Sequence, residues 1–110
     1  MRAPLLAAAV AALALAGCNR TASAPPAPPP GAVPGVTPNT FAMPTGTGCA
    51  GEIARFRAVL ANDVQTGNVN QSVANRANPD LDRASAACSA GREGEALSIV
   101  SAAKTRIGYR

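Results

Sequence analysis

Three cysteines, at positions 18, 49 and 88, are the side chains of this chain with the widest choice of chemistry. A thiol can attack an electrophile, ligate a metal or close a disulfide, and each use needs particular neighbours. Dithiol exchange wants Cys-x-x-Cys, whereas Cys49 and Cys88 stand 39 positions apart. A zinc site needs about four Cys, His or acidic ligands, and this chain has no His and too few thiols to supply them. Nucleophilic catalysis by serine needs an activating base, and neither a His nor a partner for Lys104 is legible. Two carboxylate pairs remain, Asp80/Asp82 and Glu93/Glu95. Members of each pair are two apart and so do not face one another on a helix. Both pairs suit a helix N-terminus, where negative charge complements the dipole. No phosphate loop or haem motif is present. These residues predict a protein that is not an enzyme and carries no cofactor and no metal.

The context of Cys18 is different. Residues 3–17 are almost wholly Ala, Leu and Val, interrupted by Pro4, and Arg2 precedes them. A positive n-region, an apolar stretch of about 7–15 residues and a small-residue cleavage site read as a signal peptide. The run falls short of the ~20 apolar residues of a spanning helix. It ends in Leu15-Ala16-Gly17-Cys18, which resembles the lipobox of bacterial lipoproteins. The resemblance implies cleavage before Cys18, lipidation of that residue, and a membrane partner reached through the lipid. Several acyl chains make a firm anchor, since each buried CH₂ contributes about 0.8 kcal/mol and one chain alone binds marginally. Asn19 follows, where an Asp is the familiar inner-membrane retention signal of enteric lipoproteins. The resemblance therefore leans towards the outer membrane, with the rest of the chain in the periplasm. With Cys18 given to lipid in an oxidising compartment, Cys49 and Cys88 become a disulfide pair rather than two buried thiols. Such a bridge would stabilise the fold by ~4 kcal/mol in the chain-entropy picture.

Between Cys18 and position 47 lies a segment holding eight of the ten prolines. It has too little apolar surface to offset its conformational entropy and is predicted to be a disordered or polyproline-like linker. Extended, it would reach ~90 Å; as a coil, nearer ~30 Å. A stalk is one use, and a proline-rich docking ligand at Pro25–Pro30 is the other. Phe41 is the lone aromatic here and is a candidate to fold back onto the domain.

From position 48 to 110 proline nearly vanishes and helix formers dominate. Cys49, Ile53, Phe56, Leu60 and Val64 draw one stripe down a helix. Glu52 falls near its start, and Gly67 is placed to end it. Val69, Val73, Ala77, Leu81, Ala84 and Cys88 draw a second stripe over about 69–90. It passes through Asn78-Pro79, which leaves two options, a kinked helix or two helices with Asn78 as cap. Gly91 ends it. A third helix over about 92–107 has Glu93 and Glu95 first and Lys104 and Arg106 last, as the dipole favours. Its inner face is predicted to be Leu97, Val100, Ala103 and Ile107. In an antiparallel hairpin the start of the first helix neighbours the end of the second, which brings Cys49 and Cys88 within bridging range. The expected fold is all-α: a small disulfide-stapled helical hairpin plus a third helix, a three-helix bundle preceded by a signal peptide (1–17) and a linker (18–47). A domain this small benefits from such a staple.

The net charge of the chain is +4, and +3 without Arg2. Basic residues are scattered and aromatics scarce, which argues against nucleic acid. Arg55, Arg57, Lys104 and Arg106 are candidates to contact an anionic envelope polymer such as peptidoglycan, or an envelope protein. Local pairs such as Asp80 with Arg83 are the alternative use of this charge. Residues 86–97 resemble the helix-turn-helix junction of tetratricopeptide-type repeats, but an array needs about three copies and no second is found. The stretch 49–110 is similar to small alphaproteobacterial lipoproteins and secreted helical proteins, a resemblance that implies no activity. The expected function is a lipid-anchored cell-envelope protein acting as a non-catalytic binding module. The alternative is a structural or stress-related envelope lipoprotein without a ligand site.

Overall fold

The computed structural model describes residues 33–110. The predicted signal peptide 1–17, the lipid-attachment residue Cys18 and linker residues 19–32 lie outside the described residues. The described chain is all-α, with helices α1 (Gly48–Gln65), α2 (Gln71–Ser89) and α3 (Glu93–Arg106) and no strand among the described residues. None of these helices is long and apolar enough to cross a membrane.

The stripes find one another. Ile53, Phe56 and Leu60 of α1 are buried against Ala74, Ala77, Leu81 and Ala84 of α2, and Val100 and Ala103 of α3 complete the core. Alanine supplies four of these nine positions, so the helix backbones approach closely and the bulk comes from a few larger residues. A second small cluster of Cys49, Ala87 and Ala96 sits around the bridge. Cys49 and Cys88 are disulfide-bonded, with Cα atoms 5.8 Å apart, at the end of the hairpin opposite its turn. Glycine closes each helix where the sequence places it: Gly67, Gly91 and Gly108 take φ of +77°, +76° and +90°, the left-handed region that ends a helix without Cβ strain.

Three local expectations are corrected. α2 is one continuous helix through Pro79, so Asn78 is not a cap and Asp80 and Asp82 are not in a first turn. The cap is Asn70, whose side chain accepts from the Val73 N–H at 3.2 Å. Pro79 cannot donate to the carbonyl of Asn75, but its ring lies on the exposed face, and the unbroken stripe packs on both sides. On α3, Leu97 is 38% exposed, and Ala96 at 0% takes the inner position. Glu52 lies one turn into α1 rather than at its start.

Residues 33–47 have no helix or strand, as their prolines dictate, yet they are fastened to the bundle. They run antiparallel to α1 as a strap. Arg55 Nη1 donates to the Gly46 carbonyl at 2.7 Å, Asn62 Nδ2 to Thr37 Oγ1 at 3.0 Å, and the Gly35 N–H to the Thr66 carbonyl at 2.6 Å. Phe41 is half-buried and lies with Pro38 beside Ala58 and Ala61, so the lone aromatic does fold back. Gly51 makes the crossing possible: a Cβ there would stand 2.5 Å from the Gly46 carbonyl oxygen.

Candidate functional site

Surface grooves line the seam where α1 meets α3. Its centre is Glu52. The α1 periodicity puts Glu52 beside the buried stripe, one turn before Phe56. The α3 polarity brings the last-turn Lys104 across to it. Glu52 accepts from Arg55 Nη2 at 3.0 Å and from Lys104 Nζ through its other carboxylate oxygen. The bonds from Lys104, then Arg55, hold the Glu52 carboxyl below the ordinary carboxylate value of 4.5, against the opposing effect of burial. A carboxylate kept ionised by two cations is a poor proton carrier near neutrality.

Two shallow grooves flank this triad. One, of about 430 Å³, runs towards the bridge end and is lined by Gly48, Leu97, Val100 and Ser101 beside the triad. The other, of about 230 Å³, runs towards Met43, Val59, Tyr109 and Arg110. Lys104 stands 5.3 Å from the centroid of the Phe56 ring, within cation–π range. Tyr109 meets the same ring edge-on at 5.3 Å and 75°. Its hydroxyl donates to Asp63. Burial, then that bond, raises the Tyr109 phenol well above its ordinary value, so it stays protonated. The exposed apolar groups of the seam are Leu97 and Met43, at 38% and 47%. Such a surface offers apolar contact with fixed charges around it. It suits recognition better than proton transfer.

The sequence-derived site residues do not form one patch. Arg55 and Lys104 converge on Glu52. Arg57 lies on the α1–α2 side, paired with Asp82 at 2.7 Å. Arg106 lies at the α2–α3 seam, where it pairs with Asp80 and donates to the Arg76 carbonyl at 3.3 Å, one residue past the carbonyl that Pro79 leaves without a donor. Asp80 also binds Arg83 at 3.1 Å, the local pair expected from the sequence. Cys49 and Cys88 are closed in the bridge, and Cys18 lies outside the described residues. The sequence reading missed Glu52 as a hub and the Phe56–Tyr109–Asp63 lock. The apolar period of α1 did mark Phe56, but nothing in a single sequence marks a pair 46 positions apart such as Asp63 and Tyr109. No protein-family model matches the chain, and no curated protein or solved structure is significantly similar to it.

Proposed function

We propose that the protein is anchored to the cell envelope by lipid on Cys18 and presents its three-helix domain in the periplasm as a non-catalytic interaction module. The observation that carries this reading is Leu15-Ala16-Gly17-Cys18 at the end of the apolar run 3–17. The bridge between Cys49 and Cys88 supports it, since disulfides persist in oxidising compartments. The partner is an envelope protein or peptidoglycan and not nucleic acid, and Asn19 favours the outer membrane. The test is radiolabelled palmitate incorporation with membrane fractionation. The wild-type chain takes up label and sediments with membranes, while Cys18→Ser loses both. Membrane retention of Cys18→Ser without label would overturn the anchor.

One observation favours a second reading, an envelope lipoprotein with a structural or stress role and no ligand site. Arg55, Arg57, Lys104 and Arg106 are each paired with a carboxylate of the same domain. In-cell crosslinking with complementation separates the two. A reproducible partner, lost together with rescue in Arg55→Gln/Lys104→Gln, supports the module; full rescue with no partner supports the structural role.

A further inference from the structure

The two grooves of the α1–α3 seam are joined at the triad, because Glu52, Arg55 and Lys104 line both of them. Together they form one shallow trough. Towards the bridge its apolar lining is Leu97 and Val100; on the other side it is Met43, Val59 and Phe56. The two helices run parallel along it. Glu93, at the start of α3, lies against Gly48, at the start of α1. Further on, Lys104 and Tyr109 meet the Phe56 ring. From Gly48 to Val59 the axis of α1 rises ~17 Å, which is the length of about five residues of extended chain.

The charges of the trough do not balance. Its lining side chains include three cations, Arg55, Lys104 and Arg110, and one carboxylate, Glu52. Arg55 and Lys104 share that carboxylate, and the exposed Arg110 takes part in no ion pair among the described residues. Groups that would recognise sugar hydroxyls are scarce. Ser101 is the neutral hydroxyl on one side, and the Tyr109 hydroxyl on the other is committed to Asp63. The Phe56 ring, 3% exposed and faced by Lys104, gives a sugar no stacking surface. Nor does this chain's own N-terminal part match the surplus, since residues 1–47 contain no Asp or Glu. The complementary ligand is an anion with apolar groups, from another molecule.

We propose that the trough binds an extended segment of another protein, with a carboxylate side chain at its centre and an apolar side chain two residues to either side. In extended chain, every second residue faces the same way at a spacing of ~7 Å. Val100 and Phe56 each lie one helical turn from the triad, in opposite directions and ~6 Å along the axis. The spacing therefore sets the central carboxylate against Lys104 and Arg110, and its neighbours on Leu97 and Val100 at one end and on Phe56 and Met43 at the other. This is acidic-motif recognition by basic side chains, with apolar contact fixing the register. The proposal rests on the reading of the domain as an interaction module and gives its partner a chemistry.

The test selects a display library of random peptides against the full chain in neutral detergent, then titrates the enriched sequences as fluorescent peptides by anisotropy. The expected consensus is Asp or Glu with Leu, Ile, Val or Met two residues to either side. Changing that acid to its amide weakens binding about tenfold. Arg110→Gln weakens it about fivefold, and added salt lowers the affinity of the wild type. Leu97→Ala, at an exposed position, weakens it about threefold. Glu52→Gln strengthens it about threefold, because it removes the one lining side chain that repels the ligand; a purely structural Glu52 would not do so. Arg76→Gln, exposed but outside the trough, changes nothing. Circular dichroism melts check that each variant is folded. A consensus without an acid, or binding indifferent to both Arg110→Gln and Glu52→Gln, overturns the ligand assignment and leaves the module to the crosslinking test. No enriched peptide, with purified sacculi retaining the wild type but not Arg110→Gln, overturns the peptide in favour of wall polymer. No enriched peptide and no retention on sacculi overturns the proposal outright. Palmitate labelling at Cys18 reads the anchor separately from all of these.

Discussion

The α1–α2 hairpin and the α1–α3 seam are built from the same helix-forming sequence, yet they are held by different forces. The hairpin is closed at one end by the Cys49–Cys88 bond and filled by Ile53, Phe56, Leu60 and Leu81, all at 5% exposure or less. The α1–α3 seam has apolar contact at Val100 and Ala103, but its outer edge is polar: Lys104 and Arg55 on Glu52, and Tyr109 on Asp63. Burial and a covalent loop act whatever the salt or pH. Half-exposed ion pairs contribute little, and that little is screened. The hairpin should therefore set the stability of the domain, and the seam should set how firmly the C-terminal residues lie on α1.

Removing the bridge tests the hairpin hardest. Cys49→Ser/Cys88→Ser should lower unfolding free energy by ~4 kcal/mol for this loop length. Guanidinium unfolding of wild type and variant measures it. Domains of this size have only about 5–15 kcal/mol in total, so the variant should be partly unfolded at mild denaturant. An unchanged midpoint would mean that the bridge is incidental to the hairpin. Next comes Leu81→Ala, at the centre of the core with 0% exposure, expected to cost about 3 kcal/mol. A loss below about 1 kcal/mol would show that the alanine-rich helices close over the gap, and the contrast with the seam would weaken.

The contrast also explains what a single sequence reveals here. The hairpin was legible because its forces leave periodic marks: apolar residues at helical spacing, cysteines at the two ends that an antiparallel pair brings together, glycine after each helix. The phase of the second stripe across Pro79 was legible too. Its outcome was not, because a mid-helix proline costs about 3 kcal/mol and only packing decides whether the helix survives it. Here Ala77 and Leu81, both at 0% exposure, fix the helix on either side of the exposed ring. Leu97 takes an outer position in place of the expected inner one for a related reason. In an alanine-rich helix, size does not separate inside from outside, and a leucine next to the stripe draws the eye to the wrong residue. The seam left almost no mark, because charges read as helix-end complements or solvated surface until the fold brings their partners from fifty residues away. The strap was hidden by its composition. Prolines predict the absence of helix, which holds, but they say nothing about the main-chain carbonyls and side-chain amides that fasten an irregular segment.

The seam predictions are smaller and are distinguished by pH. Tyr109→Phe removes a half-buried bond to a carboxylate and should cost about 1 kcal/mol near neutrality. The folded-state value of this phenol is raised, so its contribution is fully present below the unfolded value of about 10 and is lost as pH rises beyond it. The wild type should therefore lose stability above pH ~10 by a step that Tyr109→Phe does not show. If both fall alike, the Tyr109–Asp63 lock is not what holds the C-terminal residues on α1.

Glu52→Gln should have the smallest effect, a few tenths of a kcal/mol near pH 7, because the Arg55 and Glu52 side chains keep 34% and 29% of their exposure. Its signature lies in acid. The folded-state value of Glu52 is held below 4.5, so its contribution is present above that value and disappears as pH falls through the folded one. Thermal melts of wild type and Glu52→Gln across pH 7 to 3 should converge at the acid end. Added salt should narrow the gap at neutral pH by screening both cations. A gap that persists unchanged at pH 3, or in high salt, would mean that Glu52 acts through packing against Phe56 rather than through charge. In that case the seam would belong, with the hairpin, to the part of the molecule held by burial.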